Sequence, residues 1–508
     1  MGRDDVPDSL RRQLSEFIAQ TMGLDFPPQR WQDLQRGLAA AMGEFGFVDL
    51  VSYGEWLVSA SLTKTQSQAL ASYLTVGETY FLRERKTFEV LRETVLPELL
   101  RTRRNRERRL RIWCAACCTG EEAYSIAILL HQVIPDLADW HVTILATDIN
   151  GRFLQKACAG EYGEWSFRGT PTWFKERYFK PTKDGRYQIL PEIKKLVTFS
   201  QFNLVGDAFP SLVAEINAMD MIFCRNVLMY FSPPQTQKVI RNLHGALINE
   251  GWLIVSPSEG SHTLFTQFAP VNFPGVILYQ KQDKSSRTTG PAWPPALLNE
   301  SSYEAAPSLD VHFSPAPASV NFFAEQASAE SAVEMTEVRP QITPPADLSA
   351  SLYDQGRYEE VVNTLLGSMD PEAPNPRKFS LLANAFANLG KLEDALLWCD
   401  RWIDAAKLEP GGYHLRAVVL QELGNSEQAS VSLQQAIYLQ PDFVLAHFAL
   451  GNIARRGGKI TEAGKHFANA SRLLRSCQPN QVLPDSEGLT AGRLNEIICS
   501  LIAIEVAP

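Results

Sequence analysis

The sequence lacks any long apolar run. No stretch of its 508 residues approaches the ~18 consecutive apolar residues of a membrane-spanning helix. The N-terminal stretch MGRDDVPDSLRRQL also has no apolar core of the kind found in secretory signals. We therefore expect no membrane insertion and a cytoplasmic location. The net charge of −9 disfavours general binding to nucleic acid.

Cysteine and histidine are both scarce, at eight residues each. The cysteines are scattered without the spacing of a disulfide framework, which predicts reduced thiols. Cys114 and Cys117 form one Cys-x-x-Cys pair, but no second pair and no histidine pair stands at ligand spacing. The sequence therefore predicts no metal site.

The Gly-x-Gly-x-x-Gly motif of dinucleotide-binding folds is also missing. In its place, residues 111–126 (RIWCAACCTGEEAYSI) lead from a short apolar run through a turn of small residues into a helix. Doubly wound folds form a cofactor crevice in this way, because the backbone itself must approach the ligand. Glu121 and Glu122 at the helix start would repel a pyrophosphate, which disfavours a nicotinamide dehydrogenase. They suit a ligand with hydroxyls and positive charge, which indicates S-adenosylmethionine.

A second strand is predicted from Val142 to Ala146, and it is followed by Thr147 and Asp148. An acidic residue at the tip of this strand is placed to bind both ribose hydroxyls of a nucleoside. Strand and helix patterns then alternate over residues 197–202, 219–224, 233–248, 252–256 and 276–280. This alternation predicts an α/β fold with a mostly parallel sheet.

Other segments depart from the α/β pattern. Residues 8–74 show apolar residues at helical spacing and predict an N-terminal all-α subdomain, so the α/β domain is expected at 75–283. Within that domain, residues 160–200 contain short segments separated by Gly and Pro, which predicts a small antiparallel β insertion. Residues 284–345 are rich in Pro, Ser and Ala and lack periodicity, so we expect a disordered linker.

The C-terminal third carries an internal repeat. Gly356, Gly390, Gly424 and Gly458 stand 34 residues apart, and an alanine follows each of the last three at five residues. This pattern resembles the tetratricopeptide repeat, an α-solenoid of helix pairs that binds a protein partner. We expect repeats over 346–475 and a tail at 476–508 that contains a capping helix.

If the crevice binds S-adenosylmethionine, the residues that could act as a general base indicate which kind of group accepts the methyl. Four histidines fall within residues 75–283, and none belongs to a cluster at a strand tip. A carboxylate acceptor needs no base, because its ordinary pKa of about 4.3 leaves it ionised at neutral pH. It needs orientation and partial desolvation, for which Arg83 and Tyr230 carry suitable donors. By spacing alone, a packed aromatic or a structural ion pair explains these two residues equally well.

Four motifs occur in one order at consistent spacing. They are Thr79-x-Phe81-x-Arg83-Glu84, residues 115–122 (AACCTGEE), residues 146–149 (ATDI) and residues 223–231 (FCRNVLMYF). Together they resemble the CheR-type chemoreceptor glutamate O-methyltransferases over about residues 8–282. The C-terminal third resembles the subgroup that carries tetratricopeptide repeats.

The resemblance implies a Rossmann-like fold and S-adenosyl-L-methionine as methyl donor, with S-adenosyl-L-homocysteine as product. It also implies transfer to glutamates on the cytoplasmic methylation helices of a chemoreceptor, which gives methyl esters that tune chemosensory signalling. The implied cofactor-binding residues are Gly77, Thr79, Arg83, Glu122, Asp148, Asn203, Leu204, Arg225 and Asn226. Arg83 and Tyr230 would face the acceptor carboxylate as the catalytic pair. Gly77 stands where the family usually has asparagine.

Two questions stay open at this point. The second N-terminal helix lacks the basic stripe that the family tends to direct at its substrate, and retains Arg30 and Arg36. The seven arginines of residues 101–111 are then either a dock for an acidic polypeptide or an ordinary solvated edge. The alternative function is a non-catalytic repeat scaffold with a degenerate methyltransferase fold, although the intact motifs argue against degeneracy.

Overall fold

The structure is a computed structural model, and it describes residues 6–60, 62–104, 108–261, 263–282, 345–369, 375–486 and 488–506. Apart from its last residue, the predicted linker at 284–345 lies outside the described residues. The described elements follow the predicted order of helices, then an α/β unit, then helix pairs. The domain boundaries given above stay predictions.

The N-terminal part is helical, as predicted. Its helices are α1 (Asp8–Met22), α2 (Trp31–Met42), α3 (Leu50–Ser59) and α4 (Lys64–Leu74). Side chains cap two of them: the Asp49 carboxylate accepts hydrogen bonds at the start of α3, and Thr63 and Gln66 form a capping box at the start of α4. Gly23 ends α1 in the left-handed conformation (φ 80°), which reverses the direction of the chain. The next residue, Leu24, forms an isolated antiparallel β-bridge with Phe231 of the α/β unit. This turn fixes the end of α1 against the α/β unit.

The α/β unit supplies two sheets and the helices that cover them. The strands are β1 (Arg109–Ala115), β2 (His141–Asp148), β3 (Glu161–Tyr162), β4 (Phe179–Pro181), β5 (Tyr187–Ile189), β6 (Val197–Gln201), β7 (Met219–Cys224), β8 (Leu247–Ile254), β9 (Ala269–Phe273) and β10 (Val276–Gln280). The helices are α5 (Arg85–Val90), α6 (Leu96–Arg104), α7 (Glu121–Val133), α8 (Gly151–Ala159), α9 (Thr172–Tyr178), α10 (Pro191–Lys194) and α11 (Pro233–Ala246), and a π-helical turn (Leu91–Val95) joins α5 to α6.

Among the described residues, the main sheet contains seven strands in the order β6-β2-β1-β7-β8-β10-β9. The first five strands of this order are parallel, and β10 is antiparallel to both of its neighbours. The chain runs from β1 to β2 on one side and later returns to place β7 on the other side of β1. This reversal makes a topological switch point at the carboxyl ends of β1 and β7, where open α/β sheets bind ligands.

One strand was not predicted, and one strand prediction needs correction. Strand β9 was not predicted, because Pro270 and Asn272 within it disfavour a strand and none of its residues is fully buried. The strand predicted at 252–256 begins earlier, at Leu247, since residues 247–251 pair irregularly across a register shift with β7. The helix predicted after the small-residue turn runs from Glu121 to Val133, and the predicted last strand at 276–280 is confirmed.

The predicted antiparallel insertion is also confirmed. Strands β3, β5 and β4 form a separate three-stranded sheet in that order. Its aromatic residues surround Phe81, whose ring centroid lies 4.9–5.0 Å from those of Tyr162, Phe167 and Phe179. The insertion therefore anchors the segment that precedes the main sheet.

The C-terminal part consists of paired helices. They are α12 (Pro345–Asp354) with α13 (Tyr358–Gly367), α14 (Pro376–Asn388) with α15 (Leu392–Ala405), α16 (Pro410–Glu422) with α17 (Ser426–Leu439), and α18 (Val444–Arg456) with α19 (Ile460–Leu474), followed by α20 (Ala491–Val506). Each glycine of the 34-residue series lies in the turn within a pair, at a positive φ of 70–79°. The repeat prediction is confirmed, and α20 occupies the place predicted for the capping helix.

The arginine-rich segment at 101–111 is not one solvated edge. Arg101 pairs with Glu98 at the surface, but Arg109 and Arg111 are only 3% and 1% exposed at the start of β1. Arg103 reaches the buried Asp220 at 2.5 Å. The described part of the chain contains no helix with the length and apolar character needed to cross a membrane.

Candidate functional site

An open cavity of about 1120 Å³ lies at the carboxyl ends of β1, β2 and β7, where the strand order reverses. Its walls come from six parts of the chain: the end of α1 with the following loop, residues 74–88, the turn after β1, the end of β2, the end of β6, and the loop after β7. The lining residues include Met22, Asp25, Phe26, Arg30, Thr79, Arg83, Cys118, Glu122, Asp148, Phe153, Asn203, Leu204, Arg225, Asn226, Tyr230 and Phe231.

The turn between β1 and α7 forms the floor of this cavity. Ala116, Cys118 and Gly120 all have positive φ, at 63°, 51° and 93°. A Cβ at Gly120 would lie 2.9 Å from the Cβ of Ala157, so glycine is required there by space as well as by φ. Backbone strain of this kind concentrates where a turn must face a ligand.

Asp148 at the end of β2 is held by this turn. Its carboxylate accepts hydrogen bonds from the backbone N–H groups of Cys118 and Asn150, each at 2.8 Å. Burial raises the pKa of Asp148 to about 6, although the backbone hydrogen bonds act in the opposite direction. Each carboxylate oxygen keeps a further lone pair, so the group is oriented to accept from two hydroxyls of a bound molecule.

The two glutamates that open α7 have different surroundings. The Glu121 carboxylate accepts from Thr119 Oγ1 at 2.6 Å and from Ser166 Oγ at 3.0 Å, which links the turn to the β insertion. Glu122 lines the cavity and pairs with Arg225 at 2.8 Å. Burial raises the pKa of both carboxyls, and Arg225 partly offsets this for Glu122. The sequence pattern opened the helix with both residues, and the family resemblance selected Glu122, which is the one that lines the cavity.

Arg225, the first residue after β7, connects three elements beneath the cavity. Its guanidinium contacts Glu122 at 2.8 Å and Glu84 at 2.9 Å, and it donates to the Arg83 carbonyl at 2.6 Å. The side chain is buried, and burial by itself would lower the pKa of the guanidinium. The carboxylates of Glu122 and Glu84 outweigh this effect, so the pKa of Arg225 is raised. Arg225 therefore ties residues 83–84 to α7 and stays charged.

Residues 78–84 pass across one side of the cavity and carry Thr79 and Arg83. Leu82 and Glu84 have positive φ, at 57° and 62°. Arg83 Nη1 donates to the Glu78 carbonyl at 2.7 Å, and the residue lines the cavity. Phe81 N–H donates to the Ser166 carbonyl at 2.9 Å, so the β insertion holds this segment in place.

The loop after β7 is shaped by Glu259, which sequence reasoning missed. Its buried carboxylate accepts from the backbone N–H groups of Asn226 (2.6 Å), Val227 (2.8 Å) and Met229 (3.2 Å). Asn226 is held at a positive φ of 57°. These bonds fix the loop that presents Tyr230. Glu259 comes from a distant part of the chain, in no motif that could have revealed it.

Asn203 and Leu204 follow β6 and line the opposite wall. The Asn203 backbone N–H donates to Asp207 at 2.7 Å, and its Nδ2 donates to the Thr21 carbonyl of α1 at 2.9 Å. The helical subdomain thus closes this side of the cavity.

The structure brings together eight of the nine predicted cofactor residues and the predicted catalytic pair. Thr79, Arg83, Glu122, Asp148, Asn203, Leu204, Arg225, Asn226 and Tyr230 all line the cavity. Gly77 does not, and a Cβ there would lie 2.6 Å from the Phe153 ring. Phe153, which lines the cavity, therefore takes the space of a side chain at residue 77. The roles of these residues in binding and catalysis stay predictions.

Sequence reasoning also missed several lining residues from the helical subdomain. Met22 and Phe26 line the cavity together with Arg30, whose guanidinium lies 5.0 Å from the Phe26 ring centroid and 5.8 Å from that of Tyr230. The sequence placed Arg30 on a possible substrate-facing helix, but nothing local signalled its approach to Tyr230.

Comparisons with known proteins agree with this geometry. The family model described as "CheR methyltransferase, SAM binding domain" matches residues 77–275. A tetratricopeptide repeat model matches residues 414–473. The first match contains the turn after β1, Asp148 and the loop after β7, and it identifies S-adenosylmethionine as the methyl donor of this domain.

Three curated relatives illustrate the similarity. Chemotaxis protein methyltransferase 2 of Vibrio cholerae is 36% identical over 217 residues, which are 43% of this chain and 74% of that protein. Chemotaxis protein methyltransferase 1 of Pseudomonas aeruginosa is 37% identical over 213 residues, or 41% of this chain and 75% of that protein. The probable biofilm formation methyltransferase WspC of P. aeruginosa is 27% identical over 395 residues, or 77% of this chain and 82% of that protein. On this similarity, together with the cavity at the strand ends, the chain belongs to the CheR methyltransferase family.

Proposed function

We propose that this S-adenosylmethionine-dependent methyltransferase transfers the methyl group to glutamate side chains on the cytoplasmic methylation helices of a chemoreceptor. Relatives that share its catalytic domain are named chemotaxis protein methyltransferases. The observation that carries the choice of acceptor is the chemistry of the cavity wall. Among the described lining residues there is no histidine, while Arg30, Arg83 and Tyr230 supply cationic or hydroxyl donors.

A carboxylate acceptor fits this wall. An amine or hydroxyl acceptor loses a proton during transfer, but a glutamate carboxylate is ionised at neutral pH and attacks without a base. The methyl carbon moves from sulfur to a carboxylate oxygen, the sulfonium becomes a neutral thioether, and the product is a methyl ester. The protein has to orient the carboxylate in line with the methyl group and exclude water.

The bound cofactor supplies the activated methyl group, and the residues of this chain hold it. Asp148 accepts from the ribose hydroxyls, Asn203 and Leu204 flank the base, and Thr79 and Glu122 lie at the methionine end. Arg83 and Tyr230 face the acceptor, where their donors hold the carboxylate without taking its negative charge.

Replacement of Arg83 by glutamine is expected to lower kcat/KM for the receptor by about 100-fold, because one charge-assisted contact in the transition state is lost. Replacement of Tyr230 by phenylalanine removes a neutral donor and should cost about tenfold. Steady-state kinetics with a receptor fragment measure both. A matched control is Arg85→Gln, which alters an exposed arginine paired with Glu89 and should leave kcat/KM within about twofold. Equal effects of the Arg83 and Arg85 changes would contradict the assignment.

Cofactor affinity is expected to fall in mild acid. The pKa of Asp148 is raised to about 6, and the ionised form is the one that ribose hydroxyls favour. Protonation therefore competes with binding, and Kd for S-adenosylmethionine should rise about tenfold between pH 7 and pH 5. Isothermal titration calorimetry across this range measures the slope. In Asp148→Asn the affinity should be weaker at pH 7 and lack this slope, and a slope equal to that of the parent would contradict the assignment.

The acceptor is tested with methyl-labelled S-adenosylmethionine and cytoplasmic receptor fragments. We expect transfer of the label to protein and its release as methanol in mild alkali, since carboxyl esters hydrolyse there and methylated amines do not. Fragments with the methylated glutamates changed to alanine serve as the control. Label that is never transferred favours the scaffold alternative, and label that survives alkali contradicts the ester.

The repeats bind a protein partner in this proposal. Repeat arrays present extended surfaces and have no chemistry of their own. WspC, which aligns over 77% of this chain, is named as a biofilm formation methyltransferase. The pathway served here is therefore a chemosensory one in the broad sense.

A further inference from the structure

The catalytic domain covers one face of the repeats. A cavity at this contact is lined by Tyr353 of α12, Leu381 of α14, and Leu415 and Val418 of α16 on the repeat side, and by Leu212 and Val213 of the catalytic domain. The first helix of each of three successive pairs therefore faces the same short segment. We name this face, formed by α12, α14, α16 and α18, the repeat groove.

The segment that enters the groove is a closed loop between β6 and β7. Ser211 and Ile216 exchange two backbone hydrogen bonds, each 2.9 Å long, which pinches residues 211–216 into a projecting tip. We name these residues the docking loop. Leu212 at its tip is buried in the apolar cluster of the repeats, and not in that of the sheet. Its burial therefore depends on the repeats.

Charged residues flank this apolar contact. Glu215 of the docking loop forms an ion pair with Arg456 at the end of α18. Arg111 donates to the Glu215 carbonyl at 2.7 Å and also pairs with Glu422 at the end of α16. Burial acts to raise the pKa of Glu422, but Arg111 and Arg109 outweigh it and lower the pKa to about 2. The arginines that begin β1 thus serve the contact with the repeats.

The catalytic domain and the repeats approach each other closely at Gly390, a glycine in the turn of a repeat. At Gly390 an added Cβ would lie 3.2 Å from Ile248 and 3.4 Å from Ala218, both in the catalytic domain. At Gly424 and Gly458, the equivalent positions of the next two pairs, nothing lies within 4 Å. All three glycines belong to the 34-residue repeat, but only Gly390 of the three lies against the catalytic domain. The contact is therefore specific to this turn and is not a consequence of the repeat.

The docking loop is continuous with the cofactor wall. Asn203 and Leu204 line the cofactor cavity, and Asp207 accepts from the Asn203 N–H at 2.7 Å. Asp207 also pairs at 3.1 Å with Arg493 of α20, the helix that follows the repeats. Asp207 therefore links α20 to the segment that lies between the cofactor wall and the docking loop.

We propose that the repeat groove is a peptide-binding surface whose ligand in this chain is its own docking loop. A polypeptide partner that uses the groove presents an apolar pair followed by a carboxylate, in the manner of Leu212, Val213 and Glu215, and displaces the loop. Tethering places the loop at an effective concentration on the order of millimolar, so a partner in solution has to compete against it. Only the identity of the partner rests on the proposed function; the contact within the chain does not.

Hydrogen exchange on the full chain tests the contact. Leu212→Ser is expected to raise amide exchange at least about tenfold in residues 211–217 and in α14 and α16. Glu422→Gln, which leaves the docking loop unaltered, should raise exchange in the same segments. The matched control is Val431→Ser on α17, at an apolar position 51% exposed, and it should change none of them. S-adenosylmethionine binding within about threefold of the parent shows that the catalytic domain is folded.

A cyclised peptide of the docking loop sequence, SLVAEI, tests the groove as a ligand site. It should bind the Leu212→Ser chain at least about tenfold more tightly than the parent chain, whose groove is filled. Unchanged exchange in both variants, or peptide binding that is equal in the two chains or absent from the Leu212→Ser chain, overturns the proposal. None of these measurements uses methyl transfer, so a wrong acceptor assignment leaves them unaffected.

Discussion

Replacement of Asp148 by alanine is expected to weaken S-adenosylmethionine binding by at least about 100-fold. The carboxylate is buried and already oriented by two backbone N–H groups at 2.8 Å. Two charge-assisted hydrogen bonds to the ribose contribute about 1.5–3 kcal/mol each, and about 1.4 kcal/mol corresponds to a factor of ten in affinity. The loss also leaves the N–H groups of Cys118 and Asn150 without their acceptor, which disturbs the turn itself.

Calorimetric titration of the full chain measures this loss. The matched control is Asp139→Ala, since the Asp139 side chain is 67% exposed near the opposite end of β2. It should leave the affinity within about twofold. A cofactor affinity for Asp148→Ala within about tenfold of the parent would place the ribose elsewhere in the cavity.

Replacement of Arg225 by methionine is expected to lower the free energy of unfolding of the catalytic domain by about 3–5 kcal/mol. Arg225 is buried between Glu122 and Glu84, and it also donates to the Arg83 carbonyl. Without the guanidinium, the partly buried carboxylates of Glu122 and Glu84 lose the cation that they share, and residues 83–84 lose their tie to α7. The affinity for S-adenosylmethionine should also decrease, because the Glu122 carboxylate that Arg225 holds lines the cavity.

Calorimetric unfolding of matched variants tests whether the loss of stability comes from the buried ion pairs of Arg225. Arg85→Met removes an exposed arginine whose partner is Glu89 at 3.0 Å, and it should cost less than about 1 kcal/mol. The triple change Arg225→Met, Glu122→Gln and Glu84→Gln removes the uncompensated charges and should recover part of the stability. If Arg225→Met costs no more than Arg85→Met, then the buried ion pairs contribute little.

The predictions that the structure confirms share one property: each depends on a pattern of residues that are close together, or regularly spaced, in the sequence. The turn at 116–120, Asp148 at a strand tip and the glycines at a 34-residue period are local patterns, and the structure places each as expected. In the edge strand β9, Val271 and Phe273 pack partly buried against the core, but Pro270 and Asn272 between the apolar residues disfavour a strand. It was missed for that reason.

The site shows the same division. Glu122 could be chosen as a helix-start residue, but its difference from Glu121 depends on Arg225 and Ser166, which come from distant parts of the chain. Arg30 and Glu259 reach the site from segments without a motif. A single charged residue carries no periodicity, so only the folded chain reveals which group it meets.

By itself, the sequence determined the α/β unit with its small-residue turn, the helical subdomain and the repeats, because hydrophobic periodicity and turn chemistry are local. Its resemblance to a known family named nine of the residues that line the cavity. Tertiary structure alone decided that Arg225 joins Glu84 to Glu122, and that Arg109 and Arg111 face Glu422 instead of solvent. These pairs join residues up to 313 positions apart. Their energies depend on burial and distance, and neither quantity exists until the chain has folded.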